Sequence, residues 1–590
     1  GVPGVEEYSE ISGYGIWMVS GGWFFFMWTM LATTFILLGI HFWKRGTDQN
    51  YLRKWRFLGN QLSLPGKFAA LGTLLVFFFM QSFIVKNTTA QGNFILSAEE
   101  ERLQVDYEKR YGYIGEKPHP KYTAMDLRFD YYPIERKASF KADATLANST
   151  NTSIDTLYLS HQHHVNIEEL KYNGTPLKAA WISDEHDMIA YPLTPALLPN
   201  TAAKLSIKAT KQYQGFTEGG ANAQPDLKFN GSFGSIKEFM PILGYDADKE
   251  LVENRKRTSN GLPRLDSRMA EVTDEVALTQ DFLAPDADKL KGTVTIGTVT
   301  GQIPLAPGEL VEEWQEEGRT YRKYVIANPE SFNWCLASSN LSEREGKTGK
   351  VKTTILYSPK HPFNLALYED ALHSGIAFVQ GELGGYPYSE LRILEIPFYQ
   401  DGFYTYPNTI AISEKEGWYA DIRDISEKSY VFHSIVTQIM KQWINYSTRL
   451  ANVQGATMLS EAIPHTLGLQ VLKNKLGEEA VESVLQKKQD FYFAEKNDEP
   501  NQEPALIYSD GAEYLEAHKG AVALYQLSRT LGEERFNATL LQWTKENEGR
   551  PVRFFDLYQK LLKESPKEKR ESIRKLFETT EPVSKSKLLN

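Results

Sequence analysis

The stretch 430–469 carries side chains whose types and spacing bear on metal chemistry. Thr437, Gln438 and Lys441 fall at i, i+1 and i+4 of a predicted helix, and Glu461 lies on the helix predicted next. Residues at i and i+4 share a helix face, so 437 and 441 point at one spot that a second helix can reach. A hydrolytic zinc centre uses that spacing with two imidazoles, a carboxylate beside the first as general base, and a further carboxylate from the second helix. Here a Thr hydroxyl is a poor ligand, a Gln amide cannot accept a proton, and a protonated Lys repels a divalent cation. Only Glu461 is of a type that would serve. If Lys441 and Glu461 face each other, the ammonium takes over the metal's positive charge and keeps the carboxylate from being buried unpaired. A plain amphipathic helix, with Ile435, Ile439 and Trp443 facing a core, is the other reading of the same residues.

Histidines offer further ligands. His433 sits one turn before Thr437 and His465 one turn after Glu461, each displaced by about 5 Å along its helix axis. With Glu461 and the neighbouring His518 they leave open a relocated metal site; satisfied or solvated imidazoles are the plainer alternative. His161, His163 and His164 form a second group, with His161 and His163 on one face of a predicted strand, and solvated edge histidines are again the plainer reading. The lone Cys335 excludes an intramolecular disulfide framework and reads as a small buried hydrophobe.

The elements that must position these groups follow from periodicity. From residue 122 apolar and polar residues alternate at period 2, punctuated by Asn-Ser, Asn-Gly and Pro, and further strands read at AKLSIKATKQY, KLKGTVTIGTV, RKYVIANP, FNWCLASS and KVKTTILYSP. This predicts a large antiparallel β region. After residue 359 the pattern becomes mixed: a helix, a turn at Gly384-Gly385-Tyr386-Pro387, and a strand. Apolar residues at i, i+3, i+4 and i+7 over 508–543 predict helices.

Several motifs in this order resemble the gluzincin aminopeptidase family, the aminopeptidase N type. Thr437-Gln438-Ile439-Met440-Lys441-Gln442-Trp443 resembles the family's H-E-x-x-H-Q-W, and Leu459-Ser460-Glu461 its L-N-E-type run with the third zinc ligand. Asp401 to Thr409 occupies the place of G-x-M-E-N, whose Glu holds the substrate's α-amine; Thr405 falls at that position. Lys519-Gly520-Ala521 resembles the end of Y-x-K-G-A, whose Tyr stabilises the oxyanion, and Ala517 stands in the Tyr position. The resemblance spans about residues 120–565. It implies an α+β multidomain protein: a β saddle domain over 120–358, in which LAPDADKLKGTVTIGTV matches the family's second sheet, a degenerate thermolysin-like α/β domain over 359–500, and C-terminal helices over 501–590. It also implies a groove near Thr405, Trp443 and His518 that holds an extended peptide, with Thr437, Gln438, Lys441, Glu461 and Ala517 as degenerate active-site positions. The expectation is no catalysis and no cofactor; a divergent zinc metalloaminopeptidase is the alternative.

Ahead of this lie two apolar runs. Residues 16–43 contain no Asp, Glu, Lys or Arg, and 68–85 are bracketed by Lys67 and Lys86; both are long enough to span ~30 Å of hydrocarbon. The intervening loop 44–67 holds Lys44, Arg45, Arg53, Lys54, Arg56 and Lys67 against Asp48, whereas the flank 1–15 carries Glu6, Glu7 and Glu10. The positive-inside rule makes that loop cytoplasmic, and the flank, the linker 86–119 and everything after it extracytoplasmic. An N-out start suggests earlier membrane helices before Gly1, and the chain resembles the C-terminal part of bacterial fusions of an ABC-type permease with an aminopeptidase-like ectodomain. That resemblance implies a bacterial inner-membrane location, a periplasmic ectodomain and membrane subunits of an ABC-type complex as partners, with the ATPase on a separate chain since no G-x-x-x-x-G-K-[ST] loop occurs. A net charge of −10 without an Arg/Lys patch interleaved with aromatics argues against nucleic acid. Eight N-x-[ST] sequons, Asn445 among them, carry meaning only in a eukaryotic secretory setting.

Overall fold

A computed structural model describes residues 8–42, 64–91, 95–216, 226–265, 267–497 and 503–580. Helix α1 (Gly15–Phe42) and helix α2 (Leu64–Val85) form an antiparallel pair whose outer faces expose Phe25, Phe35, Ile36, Phe78 and Phe79. Both are long and apolar enough to cross a membrane. Across the pair Thr34 and Thr73 share a 2.8 Å hydroxyl bond, and Met27, Met80 and Ile84 cluster with Phe216. The expected cytoplasmic loop 44–67 lies, apart from 64–67, outside the described residues, as do Glu6 and Glu7 of the flank. Helix α3 (Ser97–Gly115) follows in the expected linker.

The β-rich part is built on an eight-stranded sheet with smaller sheets beside it. All the strands expected from alternation are present, but the sheet is not purely antiparallel. Lys121–Tyr132 pairs in parallel with Ala287–Val299, the segment expected in a second sheet. A parallel partner more than 150 residues away leaves no local pattern, so neighbouring sequence could not reveal it. Cys335 is buried in the strand Cys335–Ser339, as a small hydrophobe.

A second, five-stranded mixed sheet runs Ser342–Thr348, Val351–Tyr357, Glu390–Ile396, Thr409–Ser413, Phe403–Tyr406, with the middle three parallel. The sheet therefore crosses the division drawn at 358: its first two strands precede that point. Both faces are buried. Leu391, Ile393, Ile410 and Ile412 point into a core shared with the helices, while Leu394, Ile396 and Ala411 point into the core of the β-rich part. That two-sided burial is why ELRILEI carries apolar residues on both faces, Leu391 and Ile393 on one and Leu394 and Ile396 on the other.

On the helical side lie helix α4 (Leu365–Glu382), helix α5 (Ile425–Ser447), helix α6 (Ile463–Leu476) and helix α7 (Glu478–Lys496), followed by α8 (Ala521–Leu531) and α9 (Glu533–Glu546). Helix α5 starts at Asp424, whose carboxylate accepts the Ser426 amide at 2.7 Å. From Val431 to Met440 every residue is buried, so α5 is a central helix packed on several sides rather than an amphipathic surface one. Gly375 admits the approach of α4, since a Cβ there would lie 2.6 Å from Ile439.

Candidate functional site

Helix α5 and the π-turn Met458–Ala462 ahead of α6 bring the degenerate positions together. Lys441 Nζ lies 2.5 Å from Glu461 Oε2, and both side chains are largely shielded. The ammonium thus occupies the place a cation would take beside the lone surviving carboxylate. Three residues earlier on the same helix, Gln438 accepts a hydrogen bond at its side-chain oxygen from the Thr405 hydroxyl, and its amide donates to the Ser434 carbonyl at 3.3 Å. The positions expected to have lost the amine anchor and the general base therefore satisfy each other.

Thr437 is fully buried on the far side of this pair. Its hydroxyl lies 3.4 Å from both His433 Nε2 and His465 Nδ1, and the two imidazoles stack at 5.3 Å. Gly468 makes this approach possible: a Cβ there would sit 2.7 Å from Thr437 Oγ1. Behind the rings Lys488, on α7, donates to His465 Nδ1 at 3.1 Å and to the Ala517 carbonyl at 2.7 Å. Burial, reinforced by the Lys441 charge, brings the Lys488 ammonium down to about 7. Burial likewise takes His433 down to about 3 and His465 well below its ordinary value, with Lys488 adding repulsion to both. Glu461 faces Lys441 rather than these rings, so the relocated site of His433, His465 and Glu461 does not assemble.

Ala517 contributes its carbonyl to Lys488. Neighbouring Lys519 pairs with Glu503 and lies over the Tyr492 ring. His518 is half-buried against Phe491, and burial lowers it to about 3. Trp443, expected in a groove wall, is instead a core residue, 2% exposed, with its indole N–H donating to the Leu383 carbonyl at 3.1 Å. Two turns along α5 from Val436 and one from Ile439, it continues the buried face, which the motif alone did not distinguish from a groove face. His161 and His163 follow the strand Ile154–Ser160 rather than share its face, and His163 finds an acidic partner in Asp187 at 3.1 Å, which holds its pKa up.

Sequence reasoning missed the cleft beside the Thr405–Gln438 pair, lined by Glu330, Asn333, Tyr388, Thr405, Gln442 and Tyr446. Glu330 is 5% exposed with one carboxylate oxygen lacking a hydrogen-bond partner among the described residues. Burial pushes its carboxyl up to about 8, against the opposing pull of Arg392 and Lys289. No local signal marks it, because Glu330 ends a strand whose sequence neighbours are polar.

No protein-family model and no curated protein matches this chain. Solved structures do at the level of fold. An M1 zinc metallopeptidase from Deinococcus radiodurans aligns at TM-score 0.55 and 16% identity over 79% of this chain and 96% of its own. A mutant of the same enzyme bound to a Tyr-Ser-Ala substrate gives 0.55 at 14% identity over the same shares. Legionella pneumophila aminopeptidase A, in complex with aspartic acid, gives 0.54 at 13% identity over 78% of this chain and 50% of its own. The chain has the fold of the M1 zinc metallopeptidases. That fold implies zinc, yet Thr437, Gln438 and Lys441 do not fit it: two of the three are uncharged and hydrogen-bonded inward, and the third is a cation already seated on Glu461.

Proposed function

We propose that this chain is a membrane-anchored, non-catalytic relative of the M1 peptidases that binds rather than hydrolyses. The Lys441–Glu461 ion pair carries the proposal. A fixed ammonium where a divalent ion would sit excludes that ion by repulsion, and the Thr405–Gln438 bond leaves neither a proton acceptor nor an amine anchor. Binding by strand addition is supported by the position of Phe403–Tyr406 at the edge of the mixed sheet, with the Glu330 cleft alongside. A peptide is the ligand class that such an edge accommodates.

The anchor would be a two-helix hairpin in a bacterial inner membrane, with 86–590 periplasmic, serving as a scaffold part of an ABC-type permease assembly. One observation supports the hairpin. The flank touches the body of the protein: the Ile11 amide donates to Glu414, Asn230 donates to the Ile11 carbonyl, and Lys360 donates to the Glu10 carbonyl. Segments on both outer ends of the hairpin therefore share a side, as an even number of spans requires.

The test is peptide hydrolysis by the full chain in detergent, with and without added zinc, beside Glu461→Gln. No turnover in any sample is expected. Zinc-dependent turnover that Glu461→Gln abolishes would instead establish the divergent metalloaminopeptidase.

A further inference from the structure

Away from the degenerate site, three chemistry-bearing residues meet at the carboxyl ends of the three parallel strands. His361 follows Val351–Tyr357, Glu395 closes Glu390–Ile396, and Glu414 follows Thr409–Ser413. Parallel strands end together, so their carboxyl edge is where side chains from distant sequence converge on a ligand. His361 Nε2 lies 3.1 Å from Glu395 Oε1 and 3.5 Å from Glu414 Oε1, and the three donor atoms fall within 4.8 Å of one another. Four-coordinate zinc, with bonds of about 2.0–2.2 Å, sets its ligand atoms roughly 3.3–3.5 Å apart.

Charge balance makes the case stronger than distance alone. The three residues are 2%, 1% and 0% exposed. Two carboxylates face one imidazole, and among the described residues no Lys or Arg forms an ion pair with either of them. Buried charges of this kind are paired or coordinate a metal. Glu395 Oε1 and both His361 ring nitrogens also lack a hydrogen bond of acceptable geometry. The remaining oxygens are already oriented: the Ser358 amide donates to Glu395 Oε2 at 2.5 Å and Phe398 to Glu414 Oε2 at 2.9 Å, while Glu414 Oε1, on the His361 side, also accepts the Ile11 amide at 3.0 Å. Outer hydrogen bonds of this sort fix metal-binding carboxylates in place.

The other His/carboxylate group, Asp106, Glu185 and His186, shows the contrast. It is partly exposed, and Arg110 and Arg102 lie 2.8 Å and 2.5 Å from its two carboxylates, so it needs no further cation.

We propose that His361, Glu395 and Glu414 bind one divalent transition-metal ion, with Zn2+ the best match to a donor set of one imidazole and two carboxylates. The ion is structural. It neutralises the two carboxylates and, through the Ile11 amide on Glu414, fastens the segment preceding helix α1 to the body of the protein.

The experiment uses the full chain, purified in detergent without a histidine tag, stripped with chelator and dialysed against Zn2+. One zinc per chain is expected by mass spectrometry of metals, with affinity reduced at least tenfold in Glu395→Gln and unchanged in Glu461→Gln. X-ray absorption of the wild-type protein should show one nitrogen and two carboxylate oxygens on the zinc, a readout that stands even where Glu395→Gln does not fold. Hydrogen exchange of the Ile11 amide should slow on adding zinc. Absence of bound zinc, a zinc spectrum without carboxylate ligands, or zinc lost in Glu461→Gln but kept in Glu395→Gln overturns the proposal. The last of these points to the degenerate site and separates this failure from that of the binding reading.

Discussion

Two groups of buried polar residues in this molecule solve the same electrostatic problem in opposite ways. At the M1 position a carboxylate, Glu461, is met by a covalently attached cation, Lys441, and the remaining positions close on one another through Thr405–Gln438 and Thr437. At the strand ends two carboxylates, Glu395 and Glu414, have one imidazole and backbone amides but, among the described residues, no Lys or Arg partner. A site that carries its own counter-charge is self-sufficient. A site that lacks it must recruit a proton or an ion. A shared fold thus does not by itself fix which site needs a cation; the local charge sum does.

The first site can be broken most strongly at Lys488, whose ammonium is held at about 7 by burial first and by Lys441 second, with Glu461 and Glu513 pulling the other way. Its folded pKa lies below the unfolded one, so folding releases a proton and stability rises with pH between about 7 and the ordinary lysine value near 10.4. Replacing Lys488 by Met should stabilise the chain by about 3 kcal/mol at pH 6, after loss of its two hydrogen bonds, and the gain should fall to zero at pH ~9 and turn into a loss of about 2 kcal/mol by pH ~10.5. Denaturant melts across that range check it; a pH-independent difference would contradict the burial argument. Gly468→Ala comes next, because its Cβ would press on Thr437 Oγ1. A loss of roughly 2 kcal/mol is expected, recovered in part by adding Thr437→Ala. Smallest is the ion pair itself. Lys441→Ala should cost about 1–2 kcal/mol by leaving Glu461 unpaired, and Lys441→Met with Glu461→Gln should lie close to wild type, which a double-mutant cycle measures.

How far these features were legible depends on the range over which they are encoded. The Lys441–Glu461 pair followed from the match to the family's ligand positions and one charge argument, whereas Thr405 and Gln438 were placed by the order of motifs without any sign that they bond to each other. Trp443 was misplaced because a Trp on a helix face looks alike whether that face meets a groove or a core. The Lys488 contact to His465 and Ala517 joins α7 to two other segments, and nothing in QKKQD distinguishes the one lysine that turns inward. Glu395 offered a faint signal, an acid inside an apolar strand, but its meaning needed His361 and Glu414.

The sequence alone determined the periodicities, hence which segments are strands, helices or runs apolar enough for a bilayer, and which residue types stand at the peptidase positions. These are local properties, set by side-chain chemistry and the 2.0 and 3.6 repeats. Tertiary structure decided the parallel pairing of Lys121–Tyr132 with Ala287–Val299, the mixed sheet that crosses residue 358, and the meeting of His361, Glu395 and Glu414 at its edge. Each joins residues distant in the chain, and only the competition among whole-molecule packings chooses such partners, since no local repeat records them.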